Sequence, residues 1–90
     1  MANFVIKKDG SKEPFDADKI KYGVSMAAAQ AGLTAEEAEA LADKAAVSVQ
    51  EATADTEEVQ VTDIREKILS FLDTSAPKVA EAWRNYEATK

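Results

Sequence analysis

The sequence predicts an α+β fold: a four-helix bundle capped at one end by a small sheet of two or three strands. Three observations predict it. The apolar, partly β-branched triplet Phe4-Val5-Ile6 runs into Asp9-Gly10 and a short return arm, the pattern of a hairpin. Four later stretches carry apolar residues at helical spacing, each bounded by cap or turn residues. One short stretch of period two, Glu58-Val59-Gln60-Val61, stands between the second and third of these.

In chain order, Gly10 tolerates the positive φ that tight hairpin turns require. Pro14, which has no N–H to give a ladder, suits the end of the return arm Glu13-Pro14-Phe15. Asp16 stands where an N-cap belongs, ahead of a first helix over about residues 17–31. Ile20, Val24, Ala27, Ala28 and Ala31 share one face of it, and Gly32 ends it. Lys19, Tyr22 and Met26 fall on an adjacent stripe, so Lys19 can turn toward the hairpin while Ile20 packs inward. Thr34-Ala35-Glu36-Glu37 is a capping box that opens a second helix reaching about residue 51, with Ala38, Leu41, Ala42, Ala45 and Val49 as its buried stripe. Residues 52–56 are a polar break, too short for an interdomain linker. The stretch at 58–61 reads as a third strand able to add to the hairpin, with Thr62 capping a third helix over about residues 63–72 that presents Ile64, Ile68, Phe71 and Leu72. Ser75 is the expected cap of a fourth helix, with Pro77 in its first turn and Val79, Trp83 and Tyr86 at helical spacing.

Ninety residues suffice for one domain, residues 1–90. The hydrophobic fraction is 46%, much of it alanine, so the expected core is closely packed helices with few large side chains. The six aromatic residues Phe4, Phe15, Tyr22, Phe71, Trp83 and Tyr86 are then expected to carry much of the buried area. Cysteine and histidine are both absent, which excludes disulfides, thiolate zinc sites, cysteine nucleophiles and histidine-based triads. No apolar run approaches the ~20 residues that span a bilayer, and the amino terminus is not a signal peptide. The expectation is a cytoplasmic protein with no membrane partner. The net charge of −6, without a basic stripe interleaved with aromatics, argues against nucleic acid as a partner.

Within that acidic chain the first 21 residues net +1 and the other 69 net −7. Lys7, Lys8, Lys12, Lys19 and Lys21 are five of its 11 basic residues and form its one cationic cluster. An anion must find such a cluster to bind. A strand lysine, a turn lysine and one in the first helical turn can converge on a polyphosphate, helped by the N–H groups at the helix start. Alternation sends Lys7 to the side opposite Ile6 and Lys8. If Ile6 faces the bundle, Lys7 faces away, and a distorted turn is needed to bring Lys7 and Lys8 into one site. The bland reading is that these lysines keep an edge hairpin soluble.

Val5-Ile6-Lys7-Lys8-Asp9-Gly10, Glu13, Phe15-Asp16 and Asp18-Lys19-Ile20 resemble the opening of the ATP-cone. This is the nucleotide-sensing regulatory domain at the N-terminus of many ribonucleotide reductases, found also in a zinc-ribbon repressor of reductase genes. The resemblance runs from about Phe4 to Tyr86. It implies a four-helix bundle capped by a three-stranded sheet, with nucleotide between the two. It also implies nucleotide contacts from Val5, Lys7, Lys8, Glu13, Asp16 and Lys19. The lysines then meet phosphates, and Glu13 accepts from the adenine amino group, where guanine presents a carbonyl. Asp16 beside phosphates would repel them unless a divalent ion intervened, and Mg2+ can bridge phosphate oxygens without a protein cage. Val61-Thr62-Asp63-Ile64 matches the family's second wall, which brings in Thr62 and Ile64; a cap role for Thr62 and a core role for Ile64 stand beside this. Trp83-Arg84-Asn85-Tyr86 resembles the family's closing pattern, though Trp83 and Tyr86 at such spacing read first as core rather than as a stacking platform. Glu87 departs from the basic residue often found directly after that Tyr, with Arg84 or Lys90 as substitutes.

No nucleophile with its base and no Gly-rich phosphate loop is present, so a regulatory domain is expected rather than an enzyme. By resemblance the ligands are ATP and dATP, and the partners a reductase catalytic subunit or other cones. The chain is then an excised domain or a free-standing cone. The alternative is a ligand-free helical module whose acidic faces bind a basic protein.

Overall fold

The computed structural model describes residues 2–89. Strands β1 (Phe4–Ile6) and β2 (Lys12–Pro14) form the hairpin, followed by helices α1 (Ala17–Gln30) and α2 (Ala35–Ala52). Strand β3 (Glu58–Gln60) leads directly into α3 (Val61–Ser75), and α4 (Pro77–Ala88) closes the bundle. The sheet order is β2-β1-β3, with β1 antiparallel to β2 and parallel to β3. The expected α+β architecture is therefore present, and the third strand does add to the hairpin.

Local chemistry accounts for the element ends. The carboxylate of Asp16 accepts from the Asp18 N–H at 2.9 Å, capping α1. At its other end Gly32 takes φ +93°, with the Gly32 N–H donating to Ala29 and the Leu33 N–H to Ala28, a Schellman arrangement. The Thr34–Glu37 capping box forms in both directions, at 2.9 and 3.2 Å. Two expected caps do not form. Helix α3 starts at Val61 with Gln60 as its N-cap, which leaves Thr62 inside the first turn. The cause is the length of β1: it offers β3 partners only from Phe4 to Ile6, paired with Glu58 to Gln60, so Val61 has no strand to join. Ser75 likewise ends α3, and Ala76 is the break before α4, with φ −156° and ψ 76°. A residue ahead of proline is pushed out of the helical region, and here that residue is Ala76.

The core is aliphatic. Val24, Val49, Leu72 and Val79 are completely enclosed, with Ala28, Ala45 and Ala80 between them. Aromatic residues do not carry the buried area as expected. Phe4, Phe15, Phe71 and Trp83 are half-buried at its margin, and Tyr22 and Tyr86 are 69% and 53% exposed. Helices lined by alanine approach too closely to leave space for a ring between them, so the rings are displaced to the rim. No helix among the described residues is long and apolar enough to cross a membrane.

Candidate functional site

The hairpin turn positions the first cluster of charges. The Gly10 N–H donates to the Lys7 carbonyl at 2.9 Å and the Lys7 N–H to Ser11 at 2.8 Å, with Gly10 at φ +87°. This is a three-residue turn closed by a glycine bulge. Asp9 accepts from both the backbone and the hydroxyl of Ser11, which holds its carboxyl below the usual range.

Val5, not Ile6, is the buried residue of β1, and this corrects the expected facing of the lysines. Lys7 lies two residues beyond Val5 and so shares its bundle-facing side. Glu13 pairs directly opposite Val5 and points the same way. Lys7 reaches this side without any distortion of the turn, whereas Lys8, one residue on, is not among the contacts of Glu13. Lys7 Nζ lies 3.6 Å from one Glu13 carboxylate oxygen, and Lys19 Nζ, from the first turn of α1, lies 3.4 Å from the other. Strand, return arm and helix thus converge on one carboxylate flanked by two ammonium groups. Both lysines are more than half exposed, so each pair is worth only ~0–1 kcal/mol and exchanges readily.

A second set of charges joins α3 to α4. Glu87 receives a two-pronged ion pair from Arg65 of α3, at 2.6 and 2.7 Å. That hydrogen bonding is the main cause of the lowered Glu87 pKa, and the charge of Lys8 adds to it. Glu87 also borders a cavity of about 300 Å³ between α1 and α4, lined by Tyr22, Gly23, Met26, Ala27, Trp83 and Tyr86 among others. Tyr22 is one helical turn beyond Lys19, so one wall of the cavity and one lysine of the cluster lie on the same stripe of α1. Its size is at the lower end for small-molecule sites, about 300–1,000 Å³, and its apolar walls suit a planar ring. The Trp83 indole N–H is the one buried side-chain polar atom without a hydrogen-bond partner among the described residues. It lies close enough to Glu87 to help hold that carboxylate's charge without forming a full hydrogen bond to it.

The remaining predicted positions lie elsewhere. Val5 is in the core, and hydrogen bonds at Asn3–Phe15 and Lys7–Ser11 put the Val5–Glu13 pair on bonded positions of the ladder, so its backbone is engaged by β2. Ile64 is also core. Thr62 is exposed at the start of α3, beyond the β3 edge and thus across β1 from Glu13. Asp16 is exposed and occupied as the α1 cap. Arg84, offered as a substitute for a basic residue at 87, is engaged by Asp73 through a two-pronged pair at 2.8 and 2.9 Å. Lys90 lies outside the described residues. Lys12 works on the outer face of the sheet, 4.7 Å above the Phe4 ring and 2.7 Å from Glu58. No group of three or more acids among the described residues could hold a metal ion.

Sequence reasoning missed two features: Arg65 as the partner of Glu87, and the cavity walled by Tyr22, Met26 and Trp83. The stripe of Lys19, Tyr22 and Met26 was the available signal for the second. The 22-residue separation of Arg65 and Glu87 left none for the first.

The model of the ATP cone domain matches residues 3–90. The chain belongs to the ATP-cone family. Cones are regulatory domains that bind adenine nucleotides, not enzymes. The chain is 28% identical over 88 residues to the transcriptional repressor NrdR of Synechococcus sp. (strain CC9311), covering 93% of this chain and 54% of the relative. It is 35% identical over 72 residues to the transcriptional repressor NrdR of Syntrophus aciditrophicus (strain SB), covering 80% and 44%. This cone therefore spans about half the length of the curated relatives it matches. The expected exclusion of nucleic acid is overturned by these relatives, since transcriptional repressors act at DNA. Net charge failed as a guide because it describes one unit, whereas contact with DNA depends on where positive charge lies in the whole protein.

Proposed function

We propose that this cone is an allosteric switch that binds ATP and dATP and regulates ribonucleotide reductase activity, within a reductase chain or as a free-standing unit, residues 1–90 folding together as one domain. The observation that carries the reading is the convergence of Lys7 and Lys19 on Glu13 beside an aromatic-walled cavity. In an acidic chain, two exposed ammonium groups held apart only by an exchangeable carboxylate suit a polyphosphate. Lys7, Lys8 and Lys19 then take the phosphates. Glu13, displaced from between them, accepts from the adenine amino group. Val5 and Ile64 back the site from the core, while Thr62 and Asp16 line its approach. Mg2+ accompanies the phosphates and takes no protein cage.

ATP and dATP must favour different assemblies for the switch to transmit anything, whether through contacts with other cones or with a catalytic subunit. A second reading, favoured by the names of the two relatives, places the same switch in a transcriptional repressor. Titration calorimetry with ATP, dATP and GTP tests the binding that both readings need. The expected result is saturable binding of the adenine nucleotides, weakened by Lys7→Ala and Glu13→Ala. Heat of dilution alone would reject it in favour of a ligand-free interaction module.

A further inference from the structure

In two places a carboxylate is held by cations from other elements. Glu13 stands between Lys7 and Lys19. Glu87 stands against Arg65, within the field of Lys8, at the border of the α1–α4 cavity. The first pair of contacts is loose, at 3.4 and 3.6 Å. The second is tight and two-pronged, so it is the harder for an incoming anion to replace. Resting on the nucleotide reading above, we infer that Glu87 is an internal stand-in for phosphate: it occupies Arg65 in the empty cone, competes with nucleotide for it, and sets the affinity of the site. Arg65 is then a further phosphate-binding residue, delivered from α3 when Glu87 lets go. Because Arg65 and Glu87 also tie the start of α3 to the end of α4, the exchange couples ligand binding to the contact between these helices.

A purely structural tie makes a different forecast, and the molecule contains the control. Arg84 and Asp73 form an equivalent two-pronged pair between the same two helices, but Asp73 lies near the opposite end of α3 from Arg65. Glu87→Gln and Asp73→Asn each remove one negative charge and one such pair. The affinity of each protein for ATP and for inorganic tripolyphosphate is measured by calorimetry beside wild type. Glu87→Gln is expected to bind both about fivefold more tightly, the effect of one unit charge a few ångströms away in water-like surroundings. Asp73→Asn is expected to leave both affinities unchanged. Arg65→Ala should weaken binding and reduce the gain from Glu87→Gln. Unchanged or weaker binding by Glu87→Gln, with wild type binding ATP, overturns this inference and leaves the nucleotide reading standing. If neither wild type nor Glu87→Gln binds, both fall.

Discussion

Lys19→Ala separates the binding role of a side chain from its role in the fold. Lys19 is the third residue of α1, where a positive charge opposes the helix dipole by ~0.3–1 kcal/mol. Alanine is also the better helix former by a few tenths of a kcal/mol. Against these gains stands the loss of the pair with Glu13, at 3.4 Å and with the lysine side chain 68% exposed, which is worth ~0–1 kcal/mol. The terms nearly cancel, so the ligand-free variant should be within about 0.5 kcal/mol of wild type, a Tm change under about 4 °C for a chain of this length. Binding is another matter. A charge-assisted hydrogen bond to phosphate contributes ~1.5–3 kcal/mol, so affinity for ATP should fall at least about tenfold. At an ATP concentration 100 times the wild-type Kd, nucleotide stabilises wild type by ~2.7 kcal/mol, and the variant by no more than about 1.4 kcal/mol. Thermal denaturation with and without ATP reads both quantities in one experiment. A ligand-free variant that melts many degrees lower, or one that keeps the full nucleotide shift, would refute the assignment of Lys19 to the phosphates.

Two more predictions follow from the α1–α4 contact and from Glu87. A Cβ at Gly23 would lie 3.1 and 3.2 Å from the Trp83 ring, which must yield by a few tenths of an ångström. Because that ring borders the cavity, Gly23→Ala should keep much of the ~1 kcal/mol helix gain of alanine over glycine and shift the fluorescence of the chain's one tryptophan; a loss of ~2 kcal/mol in denaturant unfolding would mean the indole is locked in place. The Glu87 carboxyl is held below its usual 4.5 chiefly by the hydrogen bonds from Arg65, so its contribution to stability is present above that pH and is lost as pH falls through the lowered value. The stability gap between wild type and Glu87→Gln should therefore close below pH 4.5, and a gap that instead widens on acidification would contradict the pairing.

Much of this cone is legible in the chain because its signals are local. A glycine at positive φ, a capping box and a run of apolar residues at helical spacing each act within a few residues, and each forms as the sequence implies at Gly10, Thr34–Glu37 and along α1. The convergence of Lys7, Glu13 and Lys19 was half legible, since all three belong to the hairpin and the first turn of the helix it feeds. Which side of β1 faces inward was not, because Val5 and Ile6 are equally apolar and one residue of register exchanges the faces.

What the sequence by itself determined is the order and type of the elements and the location of the cationic cluster in an otherwise acidic chain. Only the tertiary structure decided that Val5 turns inward and carries Lys7 with it, that Tyr22, Trp83 and Tyr86 border a cavity rather than fill the core, and that Arg65 closes on Glu87. Each of these depends on how closely the alanine-lined helices pack and how the sheet is seated on them. Those distances are set by contacts between residues far apart in the chain, and no short stretch encodes them.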